Sequence, residues 1–152
     1  MARGPARGSL IAIDTAVFIY HLEKHAQFGA IAGDILGRVE TGTNRGVISA
    51  LVLAELLAPA WRAGDAARAN GVASAIQSMP NLTVQPANSA ICIEAARLRG
   101  ELGLKTPDAI RLATALISRA RSFVTNDRQL KRLARPGLTV WLLTELMPGT
   151  IP

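Results

Sequence analysis

The sequence predicts a single α/β domain in which helices cover both faces of a five-stranded parallel sheet. Short apolar runs of strand length alternate along the chain with longer segments of helical periodicity, which is the pattern of a parallel sheet. The chain has 152 residues, of which 49% are hydrophobic, and a chain of that size can fold around one core of its own. We therefore expect residues 1–152 to form one domain, with residues 1–8 as a loose basic arm.

The five predicted strands are short apolar runs bounded by turn residues. The first run, LIAI, ends at Asp14, and its continuous apolar character is typical of a strand that is buried on both faces. The segment GTNRG forms the turn before the second strand, and Pro136 and Gly137 form the turn before the fifth. The predicted strands are residues 10–13, 47–49, 82–86, 122–125 and 138–143.

The segments between these strands carry helix signals. Asp14 or Thr15 can serve as the N-cap of the first helix, and Pro59 is expected to kink or end the third. Thr106 as N-cap and Pro107 at the first helical position predict the start of another helix. The predicted helices are residues 15–26, 26–42, 50–61, 65–79, 87–102 and 106–120, with a short helix at 128–134.

The composition limits the classes of function. The chain has 17 Lys and Arg residues against 11 Asp and Glu residues, a net charge of +6, which favours an anionic partner such as nucleic acid. A genome rich in GC codons would also raise the number of arginines. No run approaches the roughly 20 apolar residues of a membrane span, and there is no signal-peptide pattern. Because Cys92 is the only cysteine, we expect a cytoplasmic protein in which Cys92 is a small buried hydrophobic residue.

Four acidic residues lie in or beside apolar segments. Asp14 and Asp127 follow strands, Asp108 lies in the first turn of a helix, and Glu55 lies within the apolar segment LVLAELLAPAW. Each has a purely structural alternative. Asp14 can cap a helix, Glu55 can pair with an arginine from elsewhere in the fold, Asp108 can interact favourably with the helix dipole, and Asp127 can belong to a turn or cap the short helix.

The joint placement of the four acids favours a functional site. A right-handed parallel sheet can bring all four to the rim formed by the carboxyl ends of the strands. With no dedicated basic partner, clustered carboxylates require divalent cations, and oxygen-only ligands favour Mg²⁺ or Mn²⁺ over zinc. A pair of such ions can activate water and stabilise the leaving oxygen of a phosphodiester. The rest of the chain is strongly basic and would attract RNA phosphates.

Four segments of the chain, in this order, carry a resemblance to a known family: LIAIDTAVFIYHL, SALVLAELL, LKTPDAIRLATAL and SFVTNDRQLKRL. Together they resemble the PIN-domain nucleases and, among these, the VapC-type toxins of bacterial toxin–antitoxin pairs. The resemblance extends from about Leu10 to Leu143. It implies a five-stranded parallel sheet and Mg²⁺- or Mn²⁺-dependent ribonuclease activity. Arg111, where many relatives have an aliphatic residue, and Pro59 depart from the family pattern.

The resemblance also implies roles for individual residues. The family's acidic positions correspond to the four acids already described, which would hold one or two metal ions. Its small polar residue near the last acid corresponds to Thr125 or Asn126, and its hydroxyl after the first acid corresponds to Thr15. Apart from what the resemblance implies, we expect Arg111 and Arg128 to contact RNA phosphates.

The sequence therefore predicts an endoribonuclease that cleaves RNA by two-metal hydrolysis, as the toxin of a toxin–antitoxin pair. Its expected partners are RNA, a cognate antitoxin and a second copy of the chain, because segments 16–20 and 26–36 carry more apolar residues than one face of a sheet can easily cover. One alternative is a non-catalytic PIN-like module that binds RNA or protein. Another is a DNA-directed or flap-type nuclease, which the short chain disfavours.

Other catalytic motifs find no support in the sequence. His21 and His25 have the i, i+4 spacing of a zinc-binding helix, but the string HLEKH lacks the adjacent glutamate of the metalloprotease motifs. The sequence contains no GxSxG, P-loop or GxGxxG motif.

Overall fold

A computed structural model describes residues 4–148, and it confirms the predicted sheet. All neighbouring strands are parallel, in the order β3-β2-β1-β4-β5. The strands are β1 (Leu10–Ile13), β2 (Arg45–Ser49), β3 (Leu82–Gln85), β4 (Ser122–Thr125) and β5 (Thr139–Leu142). The first strand of the chain is therefore the central strand of the sheet.

Helices cover both faces of the sheet, as predicted. Ile11 and Ile13 of β1 pack on the face that is covered by α1, α2 and α7. Ala12 faces the other side, where α5 and α6 pack. The helices are α1 (Thr15–Leu22), α2 (Gly29–Glu40), α3 (Leu51–Arg62), α4 (Ala66–Gln77), α5 (Ser89–Leu102), α6 (Thr106–Ile117) and α7 (Leu143–Leu146), with a 3₁₀ helix at Arg128–Leu133. None of the helices in residues 4–148 is long and apolar enough to cross a membrane.

The first helix ends earlier than predicted. Lys24 has a positive φ of 50°, and the backbone N–H of His25 donates to the carbonyl of Tyr20 at 2.9 Å. The chain therefore turns after Leu22, and His25 does not lie one helical turn above His21. The side chain of His25 instead stacks against Phe28.

Pro59 does not end the third helix. Helix α3 continues through it to Arg62, one residue beyond the predicted end, although the proline has no N–H to donate to the carbonyl of Glu55, four residues earlier. The N-cap of α6 is Lys105, and Thr106 is the first helical residue. Helix α7 was not predicted, because its four residues are too short to show a helical period.

The prediction of a loose amino-terminal arm is wrong for the residues of this segment that are described; residues 1–3 lie outside them. Asn44 is fully buried, and its side-chain amide donates to the carbonyls of Ala6 at 2.7 Å and Ser9 at 2.9 Å. The backbone N–H of Gly8 donates to Thr43 at 2.8 Å. This segment is therefore tied to the turn that precedes β2.

Apolar exposure lies in places other than those predicted. The apolar residues of α2 are mostly buried, including Ile35 and Leu36. The large hydrophobic side chains that remain exposed include Trp61 at the end of α3 and Ile93 of α5, which is 72% exposed. Cys92, which we expected to be buried, is also exposed on α5.

Candidate functional site

The candidate site lies at the carboxyl end of the central strand pair. In the sheet order, β1 and β4 are neighbours, but the chain runs from β1 to β2 on one side and from β4 to β5 on the other. This is the switch point at which open parallel sheets form ligand sites. Asp14 follows β1 directly, and Thr125 is the last residue of β4.

Hydrogen bonds from Thr15 and Thr125 hold the carboxylate of Asp14 in one position. One carboxylate oxygen, Oδ1, accepts the backbone N–H of Thr15 at 2.8 Å and caps α1. The other, Oδ2, accepts the hydroxyl of Thr125 at 2.6 Å. Both Asp14 and Thr125 are buried, so the carboxylate is fixed relative to the sheet. Asp14 therefore caps a helix, which was its structural alternative, and it also lies in the candidate site.

Arg111 of α6 lies among three of the predicted acids. Its Nη1 donates to Asp108 Oδ1 at 2.9 Å, and its Nη2 contacts Glu55 Oε1. Its Nε lies 3.3 Å from Asp14 Oδ1 without hydrogen-bond geometry. The side chain of Arg111 is only 11% exposed. The expectation that the acids have no dedicated basic partner is therefore wrong.

Glu55 differs from its predicted environment. Its side chain is 43% exposed, because α3 buries only Val52 and Ala60 fully and leaves the Glu55 side near the solvent. The carboxylate pairs with Arg111, which realises the alternative of an arginine from elsewhere in the fold. Since α3 and α6 are separate elements, this ion pair ties two helices together across the rim.

Asp108 shares the electrostatic environment of the other acids. Burial raises the pKa of its carboxyl group, and the negative charges of Asp14 and Asp127 raise it further. The positive charges of Lys105 and Arg132 act in the opposite direction. The fourth acid, Asp127, lies near the same rim, because its backbone N–H donates to the Thr125 hydroxyl that binds Asp14, but it is not among the ion pairs of Arg111.

The residues after β4 form a short hydrogen-bonded turn. The backbone N–H of Asp127 donates to Thr125 Oγ1 at 3.1 Å, and its carboxylate accepts the N–H of Gln129 at 2.9 Å. Asp127 thus caps the 3₁₀ helix, which is the structural role that the sequence offered as an alternative. Asn126 Nδ2 donates to the hydroxyl of Tyr20 at 3.3 Å, which connects this turn to α1.

Two more of the predicted residues flank the acids. Thr15 is buried, and its hydroxyl has no hydrogen-bond partner among residues 4–148. Arg128 is exposed at the start of the 3₁₀ helix, next to Asp127. The structure thus leaves Arg128 accessible to a phosphate, whereas the guanidinium of Arg111 is occupied by carboxylates.

The donor chemistry suits a hard divalent cation, but the guanidinium separates the donors. Carboxylate oxygens are the ligands that Mg²⁺ and Mn²⁺ prefer, and three carboxylates already converge on one cationic group. Within residues 4–148, no three His, Cys, Asp or Glu side chains lie close enough together to hold one metal ion. A metal ion would therefore have to take the place of the Arg111 guanidinium.

Sequence reasoning did not find the positions of Arg111 and Tyr20. Arg111 lies three residues after Asp108 on one helix, a spacing that favours an ion pair. The contact between these two residues could therefore have been predicted from the sequence. Its contact with Glu55, 56 residues away, depends on how α3 and α6 pack. Nothing in the local sequence indicates that Tyr20 accepts a hydrogen bond from Asn126.

Comparisons with known proteins agree with this architecture. The family model described as PIN domain matches residues 11–136. Comparison with curated proteins finds no significant match. Similar solved structures include VapBC2 from Rickettsia felis bound to a promoter DNA fragment, with 20% identity, a TM-score of 0.65, and coverage of 88% of this chain and 98% of that chain.

Two more solved structures are similar. A toxin–antitoxin complex from Klebsiella pneumoniae has 24% identity and a TM-score of 0.62, with 85% of this chain and 95% of that chain covered. VapBC-1 from nontypeable Haemophilus influenzae has 18% identity and a TM-score of 0.64, with 89% and 98% covered. At these identities the structures show a shared fold. Because the PIN domain model spans most of the sequence, including Asp14, Glu55, Asp108 and Asp127, the chain belongs to the PIN domain family.

Proposed function

We propose that the chain is a divalent-metal-dependent endoribonuclease, the toxin of a toxin–antitoxin pair, which acts in the cytoplasm with residues 1–152 as one domain. The observation that carries the proposal is the convergence of three carboxylates, from Asp14, Glu55 and Asp108, on one cationic position at the switch point of the sheet. Membership of the PIN domain family supports nuclease chemistry at this position.

Asp14, Glu55, Asp108 and Asp127 would hold one or two Mg²⁺ or Mn²⁺ ions. When bound, such an ion supplies a water molecule of lowered pKa and neutralises charge that develops on the phosphate. Asp14 is the best-placed ligand, because Thr15 and Thr125 fix its orientation and leave lone pairs on both oxygens. A fixed first ligand favours Mg²⁺, which tolerates little departure from its preferred geometry.

The remaining site residues would position the ligands and the substrate. Thr125 orients Asp14 and also accepts the N–H of Asp127, so it couples the two acids at the strand ends. Thr15 offers a hydroxyl that is free to bind a water molecule or a phosphate oxygen. Asn126, held by Tyr20, can donate its second amide hydrogen toward the substrate. Together these groups surround the rim with polar atoms that are already oriented.

Basic side chains near the rim would bind the RNA backbone. Lys105 and Arg132 are close enough to Asp108 to influence its pKa, and Arg128 is exposed beside Asp127. The net charge of +6 would add a long-range attraction for phosphates that weakens with salt. Hydrolysis at such a site would leave 5′-phosphate and 3′-hydroxyl ends.

The protein partners would be a cognate antitoxin and a second copy of the chain. The structural neighbours from Rickettsia felis and Klebsiella pneumoniae are toxin–antitoxin complexes. An apolar groove between α1, α3 and α4 begins beside Glu55 and is lined by Ile19, Leu56 and Val72. Apolar side chains of the antitoxin would pack in this groove, and the exposed Ile93 or Trp61 would suit contact between two copies.

A second candidate is a PIN-like module that binds RNA or protein without cleaving it. The observation in its favour is the neutralisation of three acids by Arg111, which leaves less negative charge for a metal ion. The two candidates differ in metal binding, because a binding module needs no divalent cation at this rim.

The test is the conservative substitution Asp14→Asn. It preserves the shape of the side chain and removes one negative charge, so RNA cleavage in Mg²⁺ or Mn²⁺ should fall by at least about 10²-fold. The control is Asp34→Asn, since Asp34 is an exposed acid on α2, and this variant should cleave at the native rate. Circular dichroism would establish that both variants are folded.

Cleavage is measured on a labelled RNA pool, with and without EDTA, and the 5′ ends are sequenced. Native activity in folded Asp14→Asn would contradict the carboxylate mechanism. If the wild-type protein bound RNA but neither cleaved it nor bound Mn²⁺, the non-catalytic alternative would be supported.

A further inference from the structure

Arg111 occupies the position that a metal ion would take in the proposed nuclease. Its guanidinium interacts with Asp14, Glu55 and Asp108, which come from three different parts of the chain. A surface arginine that forms a single exposed ion pair contributes little to the stability of a protein. Arg111 differs, because it is only 11% exposed and is shared by three carboxylates.

The location of Arg111 in α6 fixes this arrangement. Arg111 follows Asp108 by one turn of the helix, so the two side chains emerge on the same face. Asp14 is immobilised by hydrogen bonds at both oxygens. Helix α6 therefore positions the guanidinium beside the fixed carboxylate of Asp14. Glu55 contacts the guanidinium from the more exposed side.

Within residues 4–148, two buried polar groups of the centre lack a hydrogen bond. The Nε of Arg111 is buried, and although it lies 3.3 Å from Asp14 Oδ1 it makes no hydrogen bond within the described residues. The hydroxyl of Thr15, next to Asp14, is also buried with no hydrogen-bond partner in that part of the chain. Buried polar groups without partners are costly. A ligand that changed the centre could satisfy both.

We propose that Arg111 is a built-in competitor of the divalent cation. The guanidinium and the metal ion occupy the carboxylate centre in a mutually exclusive way, so Arg111 lowers the affinity for metal and sets the cation concentration at which the centre becomes loaded. The proposal rests on the proposed function, because it assumes that these acids bind metal. When displaced, the long side chain of Arg111 moves toward the exposed side of the rim, where Glu55 lies.

The main test is the affinity for Mn²⁺ of the purified full-length chain, measured by isothermal titration calorimetry and by the Mn²⁺ electron paramagnetic resonance signal. Arg111→Met keeps an unbranched side chain and removes the charge. It should bind Mn²⁺ more tightly than the wild-type protein, by roughly tenfold or more, because the metal no longer displaces a cation that is paired with three acids. Arg111→Lys, which keeps the charge but loses the planar fork, should lie between the two.

Arg97→Met is the matched control. Arg97 also contacts two carboxylates, Glu94 and Glu101, but on the exposed surface of α5. Its loss should leave the affinity for Mn²⁺ unchanged, which would show that the effect of Arg111 comes from its location and not from the net charge of the protein.

Thermal unfolding gives a second readout that is independent of RNA cleavage. Without metal, Arg111→Met should unfold at a lower temperature than the wild-type protein, because three carboxylates lose their shared counter-charge. Mn²⁺ should raise the unfolding temperature of this variant more than that of the wild-type protein. In the wild-type protein, the Nε–H resonance of Arg111 should shift on addition of Mg²⁺, and this measurement does not depend on whether a variant folds.

The outcomes separate the two proposals. If the wild-type protein binds Mn²⁺ and cleaves RNA, but Arg111→Met binds Mn²⁺ equally or more weakly, the competition is refuted and the proposed nuclease stands. An unmoved Arg111 resonance at saturating Mg²⁺ would refute it too. If neither protein binds Mn²⁺, both proposals fail. If Mn²⁺ binds to Arg111→Met but not to the wild-type protein, Arg111 excludes the metal ion completely, and the competition is supported.

Discussion

Thr125→Val replaces the hydroxyl that connects the two central strands with a methyl group of similar size. The hydroxyl of Thr125 donates to Asp14 at 2.6 Å and accepts the N–H of Asp127 at 3.1 Å. A hydrogen bond to a charged group contributes about 1.5–3 kcal/mol, and one between neutral groups about 1 kcal/mol. Since Thr125 is fully buried, no water replaces the lost group, and we expect the free energy of unfolding to fall by about 2–4 kcal/mol.

The assay is thermal and urea-induced unfolding of the metal-free protein. For a chain of this size, the expected loss corresponds to a decrease in Tm of about 6–13 °C. Thr125→Ser is the matched control, because it keeps both hydrogen bonds and loses one methyl group, at a cost of about 1 kcal/mol. If Thr125→Val is as stable as the wild-type protein, or if Thr125→Ser is the less stable variant, the two hydrogen bonds of the Thr125 hydroxyl do not stabilise the folded protein.

Two further predictions concern parts of the fold outside the site. Asn44→Ala should lower the free energy of unfolding by about 2–3 kcal/mol and speed hydrogen exchange at residues 6–9, because the carbonyls of Ala6 and Ser9 lose their donor; unchanged exchange would contradict this. Burial raises the pKa of Glu145, but the hydrogen bond from Lys131, the backbone N–H of Leu142 and the charge of Lys131 together lower it more, so the net shift is downward. The stabilisation is therefore present at neutral pH and is lost as the pH falls through the folded-state pKa. Glu145→Gln should therefore be less stable by about 0.5 kcal/mol at pH 7 and equal to the wild-type protein once the pH is below the folded-state pKa of Glu145, and a difference that persisted in acid would rule out this ion pair as its cause.

The sheet could be predicted because its three middle strands, β2, β1 and β4, are largely buried on both faces. Residues such as Ile11, Ala12 and Ile13 are apolar in sequence because each face of β1 packs under helices. The end of α1 was harder to predict, since Lys24 adopts a left-handed conformation that its residue type does not indicate. The bounds of α3 were predicted to within one residue, because its apolar residues continue past Pro59.

The site was predictable as a set of acids, and its electrostatic balance was not. Asp14 and Asp127 follow strands, and the topology of a parallel sheet then places them at one rim. The neutralisation by Arg111 depends on the distance between α3 and α6, which no local pattern encodes. The exposure of Glu55 was missed for the same reason, because an apolar helix can leave much of its surface uncovered when it lies at the edge of a fold.

The hydrogen bond between Thr125 and Asp14 also determines when during synthesis the centre can exist. Its two residues are separated by 111 positions in the chain, and Asp108 and Arg111 are likewise made late. While the ribosome is still translating α5, the emerged chain contains Asp14 and Glu55 but lacks β4, the strand that completes the middle of the sheet. Contacts of such long range form only after the chain has closed a large loop. The carboxylate centre therefore assembles only when nearly the whole chain has been made, and a truncated product carries its first acid without the rest of the centre.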